Sequence, residues 1–325
     1  MSILIGGSPS TGSSLLRRVL NRHSKVFCGS ETSIFAKEGL YKNWDKNKSK
    51  LLAHRTLGLP NAGWHHYKTI DVEPDYLLSK GELSQYINES KSLVEFSQYF
   101  YSKVLDENHK LLWAEKTPSN AFTLHHFLES FPNAKVVHIT RDPLDCIASL
   151  VNRGKTVYDA ISVYLLNTAK ALELNGNIAA FLIKYEDLTR EPEKTLTQLM
   201  QFLDLEYESK MLIPDSDPKG TITMNGWQYN ETDSIQSKSV GRFYSLEKRL
   251  QVDIIGGLSA MSSNLDCKHH TVSDIAHTLD YTLPDLVCNT TTSTMLHSAM
   301  LKDKMKRLVN GAYFRSTNYP INLSL

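Results

Sequence analysis

The chain has 325 residues, 41% of them apolar and 9% aromatic, enough for one large globular domain with a substantial core. Its 36 Lys and Arg balance 35 Asp and Glu, which argues against a protein that coats nucleic acid or an anionic membrane surface. Any anion it binds must be held by a few placed cations and by backbone N–H groups.

The opening run MSILIGGSPSTGSS passes straight from a strand-like segment into a glycine turn, without the basic and apolar regions of a signal peptide. No apolar stretch approaches the roughly 18 residues of a membrane helix, so a cytoplasmic protein is expected, with neither membrane nor nucleic acid as partner. Cys28, Cys146, Cys267 and Cys288 lack metal-ligand spacing and are expected to be reduced and buried.

Short β-branched runs alternate with helical patterns, the signature of an α/β fold with a parallel central sheet flanked by helices. In chain order, Ile3 to Gly6 reads as a strand and Ser13 to Asn21 as a helix with Leu15, Leu16, Val19 and Leu20 facing inward. Val26 to Cys28 is a short strand. Residues from Gly39 to about Ser90 carry Trp44, Trp64, His65, His66 and Tyr67 without strand character and read as an insert or lid. Leu93 to Leu105 is a helix, Leu111 to Glu115 a strand, Ser119 to Ser130 a helix and Lys135 to Thr140 a buried strand. Helices follow at Pro143 to Arg153, with proline at its first position, and at Tyr158 to Leu174. Ala179 to Tyr185 is a strand and Pro192 to Leu203 a helix, with mixed helix and loop after about position 250.

Two segments carry chemistry. Gly7 to Ser14 lies between a strand and a helix, where glycines let the backbone fold around an anion and free N–H groups point at it. Its spacing is that of a P-loop, except that Ser13 stands where a lysine would grip a triphosphate. That loss disfavours a P-loop kinase or NTPase and suits a donor with no triphosphate; a glycine turn without ligand is the plainer reading. The second segment, Arg141 to Arg153, begins where the strand Lys135 to Thr140 ends, at the sheet edge where α/β proteins bind ligands. Ser149 and Arg153 are four apart and share a helix face. With Arg141 they form a set suited to a phosphate dianion; the alternative is an Arg–Asp capping network with Arg153 solvated.

Together, GGSPSTGSSLLRRVL and RDPLDCIASLVNR resemble the two nucleotide-binding motifs of the sulfotransferases. Cys28-Gly29-Ser30-Glu31-Thr32 is similar to a stretch of the tyrosylprotein branch, and Glu115-Lys116-Thr117-Pro118 and Lys184-Tyr185-Glu186-Asp187-Leu188 match later family features. The resemblance implies a P-loop nucleotide-binding fold of the sulfotransferase type over residues 1–250, with a lid at about 40–90 and a C-terminal extension at 251–325. It implies 3′-phosphoadenosine-5′-phosphosulfate as sulfuryl donor, 3′,5′-diphosphoadenosine as product, a hydroxyl acceptor (small molecule, saccharide or peptide) and no metal. A homodimer is left open.

By the same resemblance, Glu31 is the general base and Lys116 stabilises the bridging oxygen and sulfuryl group. Ser10, Thr11, Gly12, Ser13 and Ser14 form the 5′-phosphate loop; Arg141, Ser149 and Arg153 hold the 3′-phosphate; Tyr185 contacts the nucleotide. The alternatives are that Glu31 caps a helix starting near Thr32, that Lys116 is solvated, and that Tyr185 is plain core. The family has Arg or Lys at the position of Ser10, and Lys116 or Arg242 is expected to supply the missing charge. If neither does, turnover is slow, and a non-catalytic module binding 3′-phosphoadenosine nucleotides is the other outcome. Ser33 replaces an arginine that meets acidic peptide in the tyrosylprotein branch, which leaves a protein-tyrosine acceptor unsupported. The pairs His65-His66, His125-His126 and His269-His270 have no Cys or carboxylate cluster at ligand spacing. Trp227 to Tyr229 is a candidate acceptor wall, or packed core.

Overall fold

The structure, a computed structural model, describes residues 1–51, 75–214, 235–286, 290–310 and 320–324, with the backbone of two strands between 221 and 230. β1 (Ser2–Gly7) leads through the glycine loop into α1 (Ser13–Arg22) and then β2 (Val26–Phe27). Short helices α2 (Glu38–Lys42) and α3 (Trp44–Asn47) precede α4 (Lys80–Glu89) and α5 (Leu93–Glu107). After β3 (Leu112–Lys116) come a 3-10 turn at Pro118–Phe122, α6 (Leu124–Ser130), β4 (Lys135–Thr140), α7 (Pro143–Asn152) and α8 (Val157–Leu172). β5 (Ala180–Lys184), α9 (Tyr185–Arg190) and α10 (Pro192–Phe202) follow. Beyond the antiparallel pair β6 (Thr221–Met224) and β7 (Trp227–Asn230) lie α11 (Lys248–Ala260), β8 (Met261–Ser263), α12 (Val272–Thr278), α13 (Thr290–Asn310) and β9 (Ile321–Leu323).

The central sheet runs β2-β3-β1-β4-β5 and every pairing is parallel. The chain winds to one side of β1 for β2 and β3 and to the other for β4 and β5. Loops at the carboxyl ends of the strands therefore part around β1 and open a crevice, the usual ligand position in such sheets. Both faces are covered, which is why apolar residues in β1 and β4 occupy successive positions (Ile3, Leu4 and Ile5; Val136 and Val137) rather than alternating. Ile3, Ile5, Val137 and Ile139 pack with Leu16, Val19 and Leu20 of α1 and Leu196 and Leu199 of α10. Leu4 and Val136, one residue out of phase, face an aromatic core containing Phe35, Phe96, Tyr101, Trp113, Phe127 and Phe131. Tyr101 and Trp113 stack with ring centroids 4.3 Å apart. Residues of the C-terminal helices (Ile254, Leu258, Ile275, Leu296) share a third core with Leu144, Ile147, Ile161 and Leu165 of α7 and α8.

Three local expectations change. The helix expected over Ser119 to Ser130 is broken at Thr123, whose hydroxyl donates to the Phe35 carbonyl at 2.7 Å and the Asn120 carbonyl at 3.2 Å. A threonine hydroxyl competing for backbone carbonyls favours a turn over a continuous helix. Leu15 is only half-buried, at the edge of the face that Leu16, Val19 and Leu20 bury. Tyr185 opens α9 rather than ending a strand. In the insert, Trp44 is buried and its indole N–H donates to the Ser90 carbonyl at 2.7 Å. Trp64, His65, His66 and Tyr67 lie outside the described residues, as do Cys288 and the side chains of Trp227 to Tyr229.

Candidate functional site

The glycine loop leaves β1 at its carboxyl end and turns into α1 at Gly12, which is left-handed with φ 87°. A side chain there is excluded twice: by that backbone angle, and because a Cβ would sit 2.4 Å from Cδ2 of Tyr185. Gly12 packs flat against the tyrosine ring and offers nothing to cap α1, which has no side-chain cap bond. The first-turn N–H groups, from Ser13 and Ser14 on, therefore face the crevice at the positive end of a helix of 10 residues. Thr11 stays in the loop wall, its hydroxyl donating to the Ser8 carbonyl at 2.7 Å. Ser10 is also left-handed, φ 71°, a strain that the loop bears where it turns its carbonyl and hydroxyl toward two arginines.

Glu31 and Lys116 meet as an ion pair at the mouth of this loop, although 85 residues separate them. Lys116, at the end of β3, is 1% exposed and also donates to Ser14 Oγ at 3.3 Å, whereas the Glu31 side chain is 28% exposed. The lysine is thus not a solvated one. Nor does Glu31 cap a helix: Thr32 to Ala36 are irregular, and the next helix is α2. Beneath the pair lies Glu115, 0% exposed. It accepts from the Thr32 N–H (3.0 Å), the Thr32 and Thr117 hydroxyls (3.0 and 2.7 Å) and the Asn120 amide (2.6 Å). Burial raises its pKa, and those four donors pull it back down. Since Thr32 follows Glu31 and Glu115 precedes Lys116, this buried carboxylate fixes both members of the pair. Glu115→Gln puts an NH₂ against the Asn120 amide, which cannot turn away because it also donates to the Ile5 carbonyl at 3.0 Å. A loss of about 2 kcal/mol in stability is expected, read as a shifted midpoint in chemical denaturation.

The second cluster surrounds α7. Arg141, 3% exposed, follows β4 and lies over the Tyr185 ring at 4.7 Å. One guanidinium nitrogen donates to the Ser10 carbonyl at 3.2 Å and another to the Ser239 carbonyl, while Asp145 pairs with it at 3.5 Å. Its Nε is buried with no protein partner, a donor left for a ligand. Asp145 also clamps the strap after Ser239, accepting from the N–H groups of Gly241 (2.7 Å) and Phe243 (2.9 Å). That clamp sets Arg242, which donates to Ser149 Oγ at 3.1 Å and Ser239 Oγ at 2.9 Å. Burial, then the neighbouring Arg141, lowers the Arg242 pKa. Arg153 does not join Ser149; it reaches back to Ser10 Oγ at 3.1 Å. Asp142 caps α7 through the N–H groups of Leu144 and Asp145 while Arg141 pairs with Asp145, so part of the capping alternative is present, but Arg153 is not simply solvated as that alternative has it.

The deciding observation is in the sequence family. A model of the sulfotransferase family matches residues 2–209, spanning the loop, Glu31, Lys116 and α7. The chain belongs to the sulfotransferase family. It is similar to the protein-tyrosine sulfotransferase of Drosophila melanogaster, 23% identical over 329 residues that cover 94% of this chain and 58% of that protein. It also resembles protein-tyrosine sulfotransferase A of Caenorhabditis elegans, 23% identical over 225 residues, 65% of this chain and 51% of that one. The chain thus spans little more than half the length of these relatives. In fold it is similar to the sulfotransferase domain of the Synechococcus PCC 7002 olefin synthase, at TM-score 0.60 and 20% identity, over 87% of this chain and 95% of that one. The parallel sheet flanked by helices is the sulfotransferase fold.

In this sulfotransferase-family chain the contacts join Ser10 with Arg141 and Arg153, Ser14 with Lys116 and through it Glu31, and Ser149 with Arg242, while Gly12 and Arg141 lie against Tyr185; Thr11 and Ser13 belong to the same loop and helix start. Sequence reasoning missed Glu115, Asn120, Asp145 and Ser239. Only Asp145 left a signal, its spacing of four from Arg141. Among the described residues no group of three or more His, Cys, Asp or Glu could hold a metal ion. His126 instead contacts Glu38 and Glu129, at 3.3 and 3.4 Å, and His269 contacts Thr278 Oγ1 at 3.0 Å. No described helix is long and apolar enough to cross a membrane. Cys28, Cys146 and Cys267 are free; the first two are buried, which pushes their thiols up to about 12, whereas Cys267 is only half-buried, against expectation.

Burial also raises the Asp142 carboxyl from 3.8 to about 6, with Asp145 and Glu186 adding repulsion. A carboxyl that holds its proton more tightly folded than unfolded destabilises the fold as pH rises through the window from about 4 to about 6. Asp142→Asn is expected to remove a loss of about 2 kcal/mol between those pH values, measured as denaturation midpoint against pH.

Proposed function

We propose that this chain is a sulfotransferase enzyme that moves a sulfuryl group from 3′-phosphoadenosine-5′-phosphosulfate to a hydroxyl of its acceptor. The observation that carries this reading is the contiguity of three parts. The Glu31–Lys116 pair touches the glycine loop at Ser14, and the arginine cluster touches the same loop at Ser10. A base, a cation and the residues of both candidate anion cradles are thus joined through one loop, which supports a reading in which they serve one nucleotide.

The residues present fit that donor. The open N–H groups of α1 with Ser13 and Ser14 suit the 5′-phosphate, and the Arg141 cluster, with its unpartnered Nε, suits a 3′-phosphate. When bound, the donor supplies an activated sulfuryl group and a phosphate leaving group. Glu31 takes the acceptor proton as the acceptor oxygen bonds to sulfur. The sulfur–oxygen bond to the 5′-phosphate breaks with its electron pair left on that phosphate, and Lys116 donates to the charge that develops there. The relatives are named for protein tyrosine. Here Ser33, buried and left-handed with its N–H given to Thr117 Oγ1 at 3.1 Å, offers no charge to an acidic peptide, so we keep the acceptor class as a hydroxyl compound.

Thermal shift tests the donor. 3′,5′-Diphosphoadenosine without metal is expected to raise the melting temperature more than MgATP does. A larger rise with MgATP would turn the reading toward a kinase or NTPase. A normal rise with 3′,5′-diphosphoadenosine, but no transfer of labelled sulfate to a broad panel of alcohols, phenols, sugars and peptides, would leave a nucleotide-binding module.

A further inference from the structure

Ser149 and Arg153, whose spacing of four predicted one shared helix face, part company in the structure, because α7 ends at Asn152. Ser149 is buried and its hydroxyl is taken by Arg242, which also bonds Ser239 and feels the charge of Arg141. Arg153, just past the end of α7, turns the other way, toward the glycine loop, and donates to Ser10 Oγ. There it lies within electrostatic reach of Glu31, whose carboxylate opposes the lowering of the Arg153 pKa by burial. The cations are thus spread across the crevice: Arg242 stands with Ser149 and Ser239, Lys116 and Arg153 stand with the loop hydroxyls of Ser14 and Ser10, and Arg141 lies between them, donating to the carbonyls of both Ser10 and Ser239.

We infer that Arg153 is a catalytic cation of the sulfuryl group, filling from α7 the place left uncharged by Ser10, and that Arg242 takes the 3′-phosphate beside Arg141. The inference rests on the sulfotransferase reading and changes two of its roles. During transfer the acceptor oxygen bonds to sulfur, its proton passes to Glu31, and the bond to the 5′-phosphate breaks with its electron pair left on that phosphate. Charge on the sulfuryl oxygens needs a donor opposite Lys116. Ser10 is too short to supply it, but its hydroxyl fixes a guanidinium that can. Arg242, held by two serine hydroxyls, presents a fixed planar guanidinium, a geometry that suits bidentate contact with a 3′-phosphate.

The two assignments separate by a binding ratio that does not depend on turnover. The dissociation constants of 3′,5′-diphosphoadenosine and 5′-AMP are measured by calorimetry on the wild type, Arg153→Gln, Arg153→Lys and Arg242→Gln. The preference for the diphosphate measures the contact to the 3′-phosphate alone. In Arg242→Gln it is expected to fall by about tenfold or more. In Arg153→Gln it stays within about twofold of wild type while sulfate transfer falls by about 100-fold, and Arg153→Lys regains part of the transfer. Arg153 ends its helix and is half-buried, and the nucleotide affinities themselves show whether its variants are folded. A preference lost in Arg153→Gln and kept in Arg242→Gln overturns the inference. If the wild type itself does not prefer the diphosphate to AMP, the donor reading fails instead.

Discussion

Replacing Glu31 by glutamine is expected to lower sulfate transfer by between about 100-fold and about 10,000-fold while leaving the affinity for 3′,5′-diphosphoadenosine within about threefold. The asymmetry follows from where Glu31 sits. Its side chain is 28% exposed, the outer member of its ion pair, with Lys116 beneath it against Ser14. Glutamine keeps the shape and a carbonyl oxygen for the lysine ammonium, so Lys116 remains hydrogen-bonded. What it cannot do is accept a proton. Rates with a saturating acceptor, set beside calorimetric affinity for the spent nucleotide, read the two quantities independently. Equal loss of both would mean that Glu31 serves the loop's structure, and the base would have to be sought elsewhere.

The largest loss of stability is expected from Asp145→Ala. One carboxylate pairs with Arg141 and takes the N–H groups of Gly241 and Phe243, and Asp145, Arg141 and Phe243 are all buried. Alanine strands a buried guanidinium and two backbone donors. Removing one partner of a buried charge pair costs about 3–5 kcal/mol. For a chain of this size that lowers the melting temperature by on the order of 10 °C. It also unfastens the strap bearing Ser239 and Arg242, so affinity for 3′,5′-diphosphoadenosine should fall at least tenfold at temperatures where the variant is still folded. Asp145→Asn, which can accept from one of the two N–H groups but opposes the other, should lie between. Calorimetric melting with and without nucleotide checks both effects, and a variant as stable as wild type would show that the strap is held by other contacts.

How far these features could be read from the chain depended on how local they are. β1 and β4 declared themselves because a strand covered on both faces places apolar residues at successive positions, as at Ile3 to Ile5 and Val136–Val137, and Pro143 marked the start of α7. The loop was legible because its glycines serve backbone geometry. Gly12 in particular answers to the ring of Tyr185, a neighbour that sequence could not point to. The interactions that give the site its electrostatics join residues far apart in the chain: Lys116 with Glu31, Arg242 with Ser149, Arg153 with Ser10. Spacing predicted Ser149 and Arg153 on one helix face, but α7 ends at Asn152, and a long flexible arginine just past a helix end takes its partner from the surrounding fold. The break at Thr123 was hidden for the same reason, since its hydroxyl is drawn to Phe35, 88 residues away.

The Lys116 ammonium carries three protons, and Glu31 and Ser14 Oγ accept two of them. A third can meet an incoming anion without either of those bonds being given up. One side chain can therefore steady the carboxylate, the glycine loop and a newly arrived charge together, which ties the geometry of all three to the end of a single strand.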